Sequence, residues 1–79
     1  MSNPQYPHAA PPQHVIEECA ELIFEISKAE RFGWTNIKPG QGPNETNYER
    51  VFKEIEDVFI ACVRLKHWIF TNYNPEDGR

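Results

Sequence analysis

The sequence is poor in cysteine, in positive charge and in long apolar runs, and each shortage excludes a class of protein. Cys19 and Cys62 are the only cysteines in 79 residues, too few for a disulfide scaffold and without the CxxC spacing of a zinc site. Both fall on apolar stripes, which predicts reduced thiols packed as core atoms. Eight Lys plus Arg against twelve Asp plus Glu leave a net charge of −4. That balance argues against a general binder of nucleic acid or of anionic membrane, either of which needs a basic footprint. No apolar run nears the roughly 18 residues of a membrane span. The opening Met1-Ser-Asn-Pro-Gln-Tyr-Pro-His has neither the basic start nor the apolar stretch of a secretion signal, so a cytoplasmic protein is expected.

What is present organises into three parts. Residues 1–13 hold four of the seven prolines and little apolar material beyond Ala9 and Ala10, the composition of an extended arm with Tyr6 as its one anchor. Residues 14–72 form the helical domain, and 73–79 are a frayed tail. Val15, Cys19, Leu22 and Ile26 recur at helical spacing, widened by Ile16, Ile23 and Ala29. Pro12 suits a first turn and Gly33 a stop, which predicts a helix from about 12 to about 32. Three glycines and two prolines in residues 33–45 forbid a regular element there. Its Gly40-Gln41-Gly42 is a plain turn before it is a phosphate cradle. Thr46 with Glu49 three places on is a capping box. Val51, Ile55, Val58, Cys62, Leu65 and Ile69 then carry a second helix to about Phe70, flanked by Phe52 and Phe59.

Two helices cannot enclose a core. Each hides one stripe against the other, yet Phe24, Phe52, Phe59, Trp68 and Phe70 widen the apolar surface beyond a single stripe. The expected fold is therefore all-α, a helical hairpin that assembles with further copies into a four-helix-bundle homodimer or homotetramer.

The charge excess is concentrated. Residues 14–32 hold five acids and two bases, residues 44–72 five acids and four bases. With Glu17 set at zero on a helical wheel, Glu18, Glu21 and Glu25 fall near about 100°, 40° and 80°, one acidic arc, while the apolar stripe centres near about 190°. A solvated face interleaves its acids with Lys or Arg one turn away, but residues 15–27 contain no cation. Glu54 and Asp57 sit one turn apart on the second helix, at the margin of its stripe, where packing can bring them to the seam. Hard oxygen ligands on facing helices are what Mg²⁺ requires.

Glu17-Glu18-Cys19-Ala20-Glu21 on one helix and Glu54-Ile55-Glu56-Asp57 on the next resemble the EExxE…ExxD signature of MazG-like all-α nucleoside triphosphate pyrophosphohydrolases. Ala20–Ile23, Ser27–Gly33 and Thr46–Arg50 agree with it, and the wording is closest to short, often phage-borne members. The resemblance spans residues 14–70, with a longer spacer than usual between the two halves. It implies Glu18, Glu21, Glu54 and Asp57 as ligands of Mg²⁺, with Mn²⁺ a substitute. Glu17 would bind a further metal or orient the attacking water. It implies hydrolysis of a (d)NTP at the α–β anhydride to (d)NMP and pyrophosphate, in the cytoplasm or that of a phage's host.

The remaining side chains are less specific. Lys28 and Arg31 compensate the helix dipole or contact phosphate, and Trp34 plugs the helix end or stacks on a base. Lys38 and Asn47 are weaker contacts, Arg50 an ion-pair partner for Glu54, and Glu25 an outer acid or a partner for Lys28. His14 is expected to face solvent, and neither it nor His67 is expected as a ligand. The rival from another class is a non-catalytic helical oligomerisation module whose acids merely solvate it.

Overall fold

The structure, a computed structural model, describes residues 10–37 and 44–73. Tyr6 and most of the Pro-rich arm, Lys38, Gly40–Gly42 and the tail from residue 74 lie outside the described residues. Among the described residues the elements are all helices: α1 spans Pro11–Phe32 and α2 spans Asn47–Tyr73, packed against each other as a hairpin. Among the described residues, no helix is long and apolar enough to cross a membrane.

Local chemistry sets the ends. Ala10 offers no side-chain cap to α1, and Pro11 and Pro12 occupy its first turn, where a fixed φ is already helical. Gly33 ends it at φ 102°, its N–H donating to the Ala29 carbonyl at 2.9 Å. A side chain at Gly33 would also meet Asn36 Nδ2 at 2.8 Å. Gly33→Ala is therefore expected to cost about 1–3 kcal/mol, measured by urea unfolding at fixed protein concentration. At the start of α2 the capping box forms in full. The Thr46 N–H donates to Glu49 Oε1 at 2.9 Å, and the Glu49 N–H donates to Thr46 Oγ1 at 3.3 Å. α2 runs one turn beyond the expected Phe70: Asn72 Nδ2 donates to the Trp68 carbonyl at 2.7 Å, and Tyr73 meets the Trp68 ring edge-on.

The connection is pinned where it leaves and rejoins the helices. The Asn47 N–H donates to the Asn36 carbonyl at 2.8 Å and the Tyr48 N–H to the Trp34 carbonyl at 2.9 Å. Ile37 and Thr46 form an antiparallel bridge. Asn47 is buried and its Nδ2 donates to the Gly33 carbonyl at 2.7 Å, so it locks the hairpin rather than facing a ligand.

The seam differs from the stripe that periodicity suggests. On α1 the buried or half-buried residues are Pro11, Pro12, His14, Val15, Glu18, Cys19, Leu22, Glu25, Lys28 and Ala29. Their centre lies near about 120° on the wheel, rotated roughly a fifth of a turn from the apolar stripe toward the acids. On α2 the matching set includes Asn47, Arg50, Val51, Glu54, Val58, Ala61 and Arg64. Ala29 and Ala61, both 0% exposed, leave room for close helix approach. Polar residues fill the seam because they pair across it. Glu25 meets Arg50 at 3.5 Å, and Arg64 hydrogen-bonds His14.

The displaced apolar residues face outward. Ile16, Ile23 and Ile26 of α1 and Phe52, Ile55, Phe59, Val63, Ile69 and Phe70 of α2 are all exposed. Cys62 lies among them and is exposed, and Cys19 is only half-buried, so the expectation of two core thiols is corrected. On both wheels these residues fall on one side of the seam, with Glu21 and Asp57 on the other. One face of the hairpin carries the acids, with Phe24 and Ile60 also exposed on that side, and most of the exposed apolar side chains lie on the opposite face.

Candidate metal centre

The acidic face is built where the middle of α1 passes α2. Glu18 comes from the seam row of α1, Glu54 from the seam row of α2, and Asp57 follows one turn later. One carboxylate oxygen from each of Glu18, Glu54 and Asp57 lies within 4.8 Å of the other two. Of the five acids singled out in the sequence, these three converge. Glu17 and Glu21 are exposed and lie outside the trio, although the charge of Glu21 still reaches Glu54.

Glu54 is the most perturbed group. Its Oε2 is buried without a hydrogen-bond partner, and among the described residues it forms no ion pair. Burial pushes its carboxyl up to about 8, helped by a hydrogen bond to Glu18 and by the charges of Glu18, Asp57 and Glu21. The expected Arg50–Glu54 pair does not form, because Arg50 turns to Glu25 and to Glu45, each at 3.5 Å. An orphaned, buried carboxylate oxygen between two further carboxylates fits a divalent cation. The donors are hard oxygens from two rigid helices, the set that suits Mg²⁺ or Mn²⁺.

Toward the loop the charges alternate. Lys28 pairs with Glu25 at 3.6 Å, Glu25 with Arg50, Arg50 with Glu45, and Glu45 with Lys53 at 2.8 Å. Glu25, Glu45, Arg50, Lys53, Glu54 and Asp57 line an open polar hollow of about 140 Å³, so cations and carboxylates share one depression. The hydrogen bond to Glu45 raises the Lys53 ammonium above its ordinary value. A larger hollow of about 650 Å³ lies on the apolar side, between Tyr48 and Ile55.

Of the two cations that line the hollow with Glu54 and Asp57, Arg50 is expected from the sequence and Lys53 is not. Lys28 is half-buried, held by Glu25 and by the Phe24 ring 4.7 Å away. Arg31 lies exposed over the Phe32 ring, and Trp34 donates its indole N–H to Glu30 at 3.1 Å. Lys53 and Arg50 hold the rim instead. The signal for Lys53 was its spacing of one turn before Asp57. His14, expected in solvent, is half-buried between Glu18 and Arg64.

No family model, no curated protein and no solved structure matches the chain.

Proposed function

We propose that this protein is a Mg²⁺-dependent nucleoside triphosphate pyrophosphohydrolase that works in the cytoplasm as a homodimer or homotetramer of hairpins. The observation that carries the reading is the convergence of Glu18, Glu54 and Asp57 around an orphaned carboxylate oxygen, beside a cationic rim. Support also comes from the resemblance of both acidic motifs, in order, to the MazG-like signature.

Glu18, Glu54 and Asp57 would hold the metal, with Glu21 added from the exposed margin. When bound, the ion supplies positive charge to the phosphate oxygens as the anhydride breaks. Lys53 and Arg50 bind the outer phosphates at the rim, and Lys28 holds Glu25 so that Arg50 is kept in place. Glu17, exposed on the acidic side of α1, would orient the attacking water and accept its proton. The water oxygen joins the α-phosphorus and remains in the nucleoside monophosphate. The α–β bridging oxygen leaves with pyrophosphate, and the proton passes through Glu17 to solvent. Most of the rate comes from positioning and charge stabilisation. Arg31 and Trp34 stay candidates for the sugar and base, where Trp34 must first release Glu30.

A panel of (d)NTPs with Mg²⁺ tests this directly. The expected products are pyrophosphate and nucleoside monophosphate in equal amounts, and release of orthophosphate would overturn the assignment.

The exposed apolar face favours a second reading, a helical interaction module without catalysis. Mg²⁺ separates the two. For the enzyme it raises the melting temperature beyond the effect of matched ionic strength; for the module it does not.

A further inference from the structure

Beyond the carboxylates, a histidine and an arginine stand behind Glu18. His14 is one turn before Glu18 on α1, with Nε2 3.3 Å from Glu18 Oε2. On its other side, Nδ1 is hydrogen-bonded to a guanidinium nitrogen of Arg64, which reaches across the seam from α2. All three side chains are half-buried. The chemistry of arginine fixes the direction of the chain. A guanidinium only donates, so Nδ1 of His14 accepts and the ring proton sits on Nε2, facing Glu18.

We infer that Arg64 and His14 are positioning residues for Glu18. Arg64 sets the tautomer of His14, His14 holds one oxygen of Glu18, and the other oxygen is presented to the cation between Glu54 and Asp57. The inference rests on the reading of Glu18 as a metal ligand. Two features make the arrangement more than packing. The ring bridges the two helices one turn before Glu18 on α1, so it couples hairpin geometry to the ligand set through Glu18. It also gives Glu18 a neutral N–H partner, where a Lys or Arg there would neutralise the charge the cation needs.

Mn²⁺ binding, followed by the paramagnetic resonance of the free ion, is the test. It is run on the full chain, on Glu54→Gln, and on His14→Phe and His14→Gln. His14→Phe keeps the ring shape and loses both polar contacts, whereas His14→Gln keeps an N–H donor for Glu18. The expected result is Mn²⁺ affinity lowered about 10–100-fold in His14→Phe, largely recovered in His14→Gln, at similar metal-free melting temperatures. Equal affinity in His14→Phe and the parent overturns the inference, as does equal loss in both His14 variants. If Glu54→Gln still loses Mn²⁺ in either case, the metal site itself stands. A parent chain that binds no Mn²⁺ overturns both readings together. The tautomer is read separately, without metal and without mutation, from the ¹⁵N shifts of the His14 ring. An unprotonated Nδ1 is expected, and a proton there overturns the role given to Arg64.

Discussion

Glu54→Gln is expected to abolish divalent-cation stabilisation, to slow pyrophosphate release about a hundredfold or more, and to make the metal-free protein more heat-stable above pH 8. On the proposed function, the first two effects follow from removing one ligand from a set that would contribute several kcal/mol of charge stabilisation. The third runs against intuition and follows from linkage. The Glu54 carboxyl titrates at about 8 in the folded chain, chiefly through burial, and at 4.5 without that environment. The folded state therefore holds a proton that the unfolded state has released, and between those two values stability falls as pH rises. The contribution is fully present below about 4.5 and is lost as pH passes through about 8. A glutamine cannot ionise and removes this slope. Melting curves in a chelator from pH 4.5 to 9 should fall more steeply for the parent than for the variant. Mg²⁺ should flatten the parent's curve, because a cation replaces the proton, and leave the variant unchanged. A variant that keeps both the Mg²⁺ response and the parental rate would remove Glu54 from the site.

The helices were legible because their determinants are local. Gly33 carries a positive φ that other residues resist, and the Thr46–Glu49 box satisfies two orphan N–H groups from within four residues. The rotation of α1 was not legible, because a helical wheel records which stripe is apolar but not what covers it. Ile16, Ile23 and Ile26 mark a face to be buried, while the seam is set by Ala29, Ala61 and cross-helix pairs such as Glu25–Arg50. Those pairs join residues 25 positions apart, beyond any local pattern. The same limit explains the site. Glu18 stands out in a stretch, residues 15–27, that holds no cation, and Glu54 and Asp57 as a pair one turn apart at the stripe's margin, whereas His14 gains meaning only when Arg64 arrives from the far end of α2. Arg50 was assigned to Glu54 by its spacing of one turn, and the seam gave it Glu25 instead.

Phe59→Ala should dissociate and unfold the protein, and the size of that effect decides what covers the apolar face. In the single hairpin Phe59 is 68% exposed. Were it to remain so, truncation would change stability by no more than about 0.5 kcal/mol, the ordinary range for a surface substitution. Buried against a second copy, the same truncation costs about 3–5 kcal/mol in each chain, because transfer and cavity terms both apply. The fold favours the larger figure. Among the described residues the only apolar side chains that the hairpin buries outright are Ala29, Val51 and Ala61, beside the ring of Pro11, with Val15, Leu22, Val58, Leu65 and Trp68 half-buried. So small a core cannot offset the conformational entropy of ordering two helices of 22 and 27 residues. A second hairpin laid on the apolar face would complete a four-helix layer and leave each acidic face outward, with one proposed metal centre per chain. Sedimentation and circular dichroism as functions of concentration measure it. The parent should melt at higher temperature as concentration rises, and Phe59→Ala should lose helicity and sediment as a monomer at concentrations where the parent does not. Phe59→Ala that stays helical, with a concentration-independent melt matching the parent's, would mean that a lone hairpin folds and that the apolar face is not a contact between copies.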